Sequence, residues 1–80
     1  MKELEVKYEL SYTFDELDIR GINRWVSFFE DECPELNEKE RLEEALYSFL
    51  DREMDFSNSE IQAVIRNNLD KIYKWWKENK

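Results

Sequence analysis

The chain has 80 residues, 20 acidic against 12 basic, and a formal net charge of -8, the opposite of the basic stripe that marks a direct nucleic-acid binder. It contains no histidine and one cysteine, Cys33, which removes the commonest general base and metal ligand, the Ser-His and Cys-His nucleophiles, an internal disulfide framework and a multi-cysteine zinc site. Aromatic residues reach 15%, too many for a disordered acidic tail, while no run approaches the roughly 20 apolar residues of a membrane span and none has a signal-peptide pattern.

From Glu3 to Phe14 apolar and polar residues alternate strictly, with Leu4, Val6, Tyr8, Leu10, Tyr12 and Phe14 on one side. That period predicts a β-strand with one buried face. Thr13 and Glu16 then have the spacing of a capping box, which predicts a helix over 15–31. Phe14, Leu17, Ile19, Ile22, Trp25, Val26, Phe28 and Phe29 cover a wide apolar arc of it, with Arg20, Asn23, Arg24 and Ser27 opposite. Gly21 and Asp18 fall inside the arc. The glycine there marks a helix break or a close backbone approach.

Pro34 biases Cys33 away from helical geometry and ends this first helix. Asn37 and Glu40 form a second capping pattern, opening a helix over 38–52 with an apolar stripe of Leu42, Ala45, Leu46, Phe49 and Leu50. Met54 and Phe56 alternate with polar neighbours, the pattern of a short second strand at 53–57. Ser57 and Glu60 cap a third helix over 58–78, whose broad face carries Ile61, Val64, Ile65, Leu69, Ile72, Tyr73, Trp75 and Trp76, with Asn68 in its middle. The expected fold class is α+β, mostly α. One N-terminal β-strand precedes three helices packed as a small bundle, all in a single domain over 1–80.

A lone strand leaves backbone N–H and C=O groups open on both edges. Three partners can fill them: the 53–57 segment, a second copy in a homodimer through strand 3–14, or the sheet of another protein. Asn68 reads first as a buried amide bonded to a neighbour. In a symmetric helix pair it would set register. The tryptophan-rich face of the third helix fits either a buried central helix or an oligomer contact.

Charge is uneven along the chain. Residues 15–56 hold -9, and residues 57–80 hold +2. On the second helix Glu40, Glu43, Glu44, Tyr47 and Asp51 fall together opposite the apolar stripe, and Glu30, Asp31, Glu32 and Glu35 precede them. Like charges at helical spacing repel, so helix stability by itself would favour interspersed lysines. The nine residues predict an acidic, partner-binding ridge for a basic protein, with Tyr47 as a packing anchor. The plain alternative is a solvated face that keeps a small protein soluble. Arg66, Lys71, Lys74, Lys77 and Lys80 with Trp75 and Trp76 superficially resemble a basic-aromatic strip. Both tryptophans fall on the apolar face, however, so direct nucleic-acid contact is not expected.

No catalytic site, cofactor or metal site is expected. The alternation Asp51, Glu53, Asp55, Ser57, Ser59 looks like a calcium loop but has Phe56 and Gln62 where that loop needs Gly and Glu. Acidic neighbours make Cys33 a poor nucleophile. With no phosphate-binding glycine loop either, an enzyme is not the expectation. The composition is similar to that of small acidic inhibitors such as phage anti-CRISPR and anti-restriction proteins, some of them DNA mimics, and of immunity proteins and antitoxins. This likeness rests on no motif. The expected function is to bind and block a basic, nucleic-acid-handling protein such as a nuclease or effector complex. That places the chain in the cytoplasm, the host cell's if phage-encoded, with no membrane contact. The alternative is a homodimeric, non-enzymatic scaffold or regulatory module.

Overall fold

The computed structural model describes residues 3–80. Strands β1 (Leu4–Lys7) and β2 (Ser11–Phe14) precede helices α1 (Glu16–Glu32) and α2 (Glu38–Ser48). A π-helical turn (Phe49–Glu53) follows, and then helix α3 (Asn58–Asn79). The α+β, mostly helical expectation holds. The single strand over 3–14 does not, because the segment folds back on itself. β1 and β2 pair antiparallel with Leu4 opposite Phe14 and Val6 opposite Tyr12. The connection is the three residues Tyr8, Glu9 and Leu10, none of them Gly, Pro or Asn. An odd loop length pairs even-numbered residues with even-numbered ones, so the alternation runs unbroken through the turn. A period-2 pattern therefore reads the same for one long strand and for this hairpin.

The edge problem is solved by α3 rather than by 53–57. The Asn68 side-chain amide donates to the Lys7 carbonyl at 2.7 Å and accepts from the Lys7 N–H at 3.4 Å. It also donates to the Val64 carbonyl one turn back, at 3.0 Å. Lys71 Nζ donates to the Glu5 carbonyl at 2.8 Å. A carboxamide offers a peptide group's donor and acceptor together, so Asn68 stands in for a neighbouring strand on the outer side of β1. The outer edge of β2, at Ser11 and Thr13, has no hydrogen-bond partner among the described residues.

Residues 53–57 form no strand. The Met54 N–H bonds the Phe49 carbonyl at 3.2 Å, and the Phe56 N–H returns to the Leu50 carbonyl at 2.9 Å. Asp55, at φ 58°, takes the left-handed conformation that reverses the chain. Met54 and Phe56 still serve the hairpin, through side chains. The Phe56 ring lies 5.8 Å from Tyr12 and 5.7 Å from Tyr8.

The first cap also moves. Asp15, not Thr13, is the N-cap of α1, accepting from the Leu17 and Asp18 N–H groups while Asp18 accepts from the Asp15 N–H at 2.8 Å. Tyr12 donates its hydroxyl to the same buried Asp18 carboxylate, which explains an acid on the apolar side. Burial raises the Asp18 pKa above the usual carboxylate range, despite hydrogen bonds that work the other way. The Asn37–Glu40 and Ser57–Glu60 boxes form as expected.

Val6 and Phe14 of the hairpin, Ile22 of α1, Leu42 and Leu46 of α2, and Ile61, Val64 and Ile72 of α3 are fully buried in one core. Each such side chain contributes about 1.5–3 kcal/mol. Trp75 and Trp76 belong to this core and are not an oligomer contact. Trp75 packs 5.8 Å from Phe14, and Trp76 donates its indole N–H to Asn23 at 2.7 Å. Gly21 marks a close approach, not a break. A Cβ there would lie 2.4 Å from Cε1 of Phe49, the residue that begins the π-turn. The wider turn and the bare glycine together let the Phe49 ring lie against the α1 backbone.

Candidate functional site

α2 runs antiparallel to α3, as its cross-links show. Lys39 pairs with Asp70, the Tyr47 hydroxyl donates to Asn58, and Glu38 meets Tyr73 and Lys80. α1 lies on the other flank, with Gly21 under Phe49 and Arg24 on Glu53. This clamps the Leu42–Ala45–Leu46 stripe inward and points Glu40, Glu44 and Asp51 at solvent. Glu43, Glu44 and Tyr47 line a shallow groove with Gln62 and Ile65 of α3. Tyr47 is half-buried at its floor and held by Asn58. Glu40 lends one carboxylate oxygen to the Asn37 N–H of its cap, at 3.0 Å.

The remaining acids sit at the end of the molecule where α1 stops and α2 starts. Asp31, Glu32 and Glu35 are exposed. Glu30 lines a depression with Asn23, Glu38, Arg41, Trp76 and Lys80, so it faces the C-terminus of α3 and not the α2 crest. The nine residues thus lie on two stretches of the fold. The crest is Glu40, Glu43, Glu44 and Tyr47 of α2 with the exposed Asp51 of the π-helical turn that follows; Glu30, Asp31, Glu32 and Glu35 lie at the α1–α2 corner.

Both groups share one electrostatic property. The ion pairs among the described residues are Arg24–Glu53 at 3.3 Å, Lys39–Asp70, and Lys77 and Lys80 on Glu38 at 3.2 and 2.9 Å. Not one of the eight ridge carboxylates takes part. Glu38, three residues after Glu35, shows the contrast. Hydrogen bonds from Lys80, then Tyr73 and Lys77, hold its pKa down to about 2. The last turn of α1 is also unbalanced. Glu30, Asp31 and Glu32 stand at the negative end of the helix dipole with no basic residue in that turn, an arrangement that costs a few tenths of a kcal/mol per charge.

A second surface was hidden inside the apolar arc of α1. That arc spans about 200° of a helical wheel, more than one interface covers. The residues at its margin stay in solvent, with Leu17 69% and Phe28 48% exposed. Phe28 packs edge-on against Trp25 and Phe29 at 5.7 and 5.2 Å. Arg52 lies over the Trp25 ring at 5.6 Å, and the Trp25 indole donates to Glu53 at 2.6 Å. The signal was present in the sequence: Leu17 and Phe28 lie far around the wheel from Ile22 and Val26. Glu38 was missed because its partners lie at the far end of α3, 35 to 42 positions away.

Among the described residues no helix is long and apolar enough to cross a membrane. Comparisons with protein-family models, with curated proteins and with solved structures find no match to this chain.

Proposed function

We propose that this protein is a small acidic inhibitor that binds and blocks a basic, nucleic-acid-handling protein, such as a nuclease or an effector complex of an anti-phage defence system. The α2 crest is the contact surface. The observation that supports the reading is the state of its acids: Glu40, Glu43, Glu44 and Asp51 are exposed and form no ion pair with any described residue. A partner's lysines and arginines would supply that neutralisation and gain long-range steering from the net charge of -8. The role is non-catalytic, and whether the acids mimic DNA or complement a basic groove is a matter of spacing on the partner. The test is capture of basic proteins from a bacterial lysate at about 50 mM and then about 500 mM salt. One nuclease or toxin should be retained at low salt and lost when Glu40, Glu43, Glu44 and Asp51 are replaced by lysine. Undiminished capture by that variant would remove the crest from the interface.

The second reading is a self-associating regulatory module. The exposed Phe28 on α1 favours it. Light scattering at high micromolar concentration tests it, and a strictly monomeric chain would count against it.

A further inference from the structure

The exposed face of α1 has a charge order that the basic-partner reading does not use. Arg20 and Arg24 occupy its first half, and Asp31 and Glu32 its last turn. Phe28 and Trp25 lie between them on the same side. We propose that this face pairs with the α1 of a second copy, antiparallel about a two-fold axis passing near Ser27. Each copy's Arg20 and Arg24 then lie against the other's Asp31 and Glu32, with the two Phe28–Trp25 clusters packed at the centre.

Three features of α1 select a second copy as the occupant. First, the stripe is self-complementary. Arg20 and Asp31 are about 16 Å apart along the axis at 1.5 Å per residue, so antiparallel reversal superposes opposite charges at both ends, as an isologous contact requires. Second, the last turn of α1 lacks the basic residue that its dipole and its three acids call for, and the reversed copy provides two. Third, the cations are available. Arg20 is exposed and has no bond among the described residues. Arg24 is 69% exposed, and only Nη2 of its guanidinium is engaged, on Glu53. Trp and Arg beside an exposed Phe are also the composition of interface hot spots. The competing surface for a second copy, the outer edge of β2, is flanked by Glu9, Asp15 and Glu16, so two copies would repel there.

One helix face of this length makes a small interface, so the expected dissociation constant is about 10–100 µM. The inference is independent of the basic-partner reading: it withdraws Asp31 and Glu32 from that surface but leaves the α2 crest free. The decisive experiment uses two charge-swapped full-length chains, R20E/R24E and D31R/E32R, each checked for helicity by circular dichroism. Sedimentation equilibrium at 10–500 µM (about the range spanning that constant) should show the wild type dimerising and each variant weakened about tenfold or more. An equimolar mixture should recover wild-type association, since the acidic first half of one variant faces the basic last turn of the other and the converse pair also matches. Wild-type chains monomeric at the top concentration would overturn the proposal. So would either variant dimerising as tightly as wild type, which would assign the dimer to another face, or a mixture no tighter than its components.

Discussion

The seam where α3 meets the hairpin and the crest of α2 are both rich in polar groups, and they treat those groups in opposite ways. On the seam, Asn68 satisfies the N–H and the carbonyl of Lys7 together with the carbonyl of Val64, and Lys71 covers Glu5. On the crest, Glu44 and Asp51 have no side-chain partner among the described residues, and Glu40 has only its cap. A buried polar group without a partner costs about 1–3 kcal/mol, whereas an exposed one remains hydrated. Polar residues therefore hold the fold at the seam and are free to act outward on the crest. One helix, α2, shows both regimes, with Leu42 and Leu46 fully buried on one side and carboxylates on the other.

The widest gap between the two regions should come from Asn68→Ala. It strands the Lys7 peptide groups against a smaller side chain and reopens the β1 edge. A loss of about 2–3 kcal/mol is expected, read as a lower urea midpoint at unchanged slope. A loss under about 0.5 kcal/mol would mean that the hairpin holds without its surrogate strand. Gly21→Ala probes the neighbouring seam. Alanine is favoured in a helix by about 1 kcal/mol, but its Cβ would meet the Phe49 ring at 2.4 Å. Overpacking typically costs 1–3 kcal/mol, so a net loss of about 1 kcal/mol is expected. A gain in stability would show that Phe49 swings aside freely.

How much of this was legible follows the range of each interaction. The Asn37–Glu40 and Ser57–Glu60 boxes span three residues and were read correctly. The Gly21 approach and the buried Asn68 amide were visible as misfits on apolar faces, although their partners Phe49 and Lys7 were not. The hairpin was hidden because its three-residue turn carries no turn-forming residue and preserves the alternation. The π-turn was hidden because a 100° wheel assumes an α-helix throughout. For the candidate site, the wheel grouped the α2 acids, but chain proximity added the α1 corner to them. Folding turns Glu30 toward Trp76 and Lys80, a placement that chain proximity does not show.

Glu38 marks the border between the two regimes, a half-buried acid bonded by Tyr73, Lys77 and Lys80. Its pKa is lowered from 4.5 to about 2, chiefly by Lys80. A carboxylate depressed by folding adds stability that is complete above its unfolded value and lost as pH falls through the folded one. Wild type should therefore exceed Glu38→Gln in urea midpoint at pH 7, and the difference should shrink between pH 4.5 and about 2. Asp18 acts with the opposite sign. Burial raises its pKa, so protonation on acidification relieves strain in both chains alike and cancels in the comparison. A difference that stays constant down to pH 2 would place the benefit in packing and not in charge.

The smallest effect on stability, and the sharpest test of the division, is expected from neutralising the crest with Glu40→Gln, Glu43→Gln, Glu44→Gln and Asp51→Asn together. Glutamine at position 40 keeps the acceptor that the Asn37 cap requires. The repulsions between Glu40 and Glu44 and between Glu40 and Glu43, each worth a few tenths of a kcal/mol, disappear. Thermal denaturation should move upward by about 2–4 °C or not at all, the range that about 0.5 kcal/mol gives in a domain of this size. Capture of the basic partner should nevertheless fall sharply. A lower melting temperature would show that the carboxylates are bonded into the fold, and the contrast between a satisfied seam and an unsatisfied crest would lose its basis. Stability kept and binding lost, in the same four-residue variant, is the outcome that a recognition surface predicts and a merely solvated face does not.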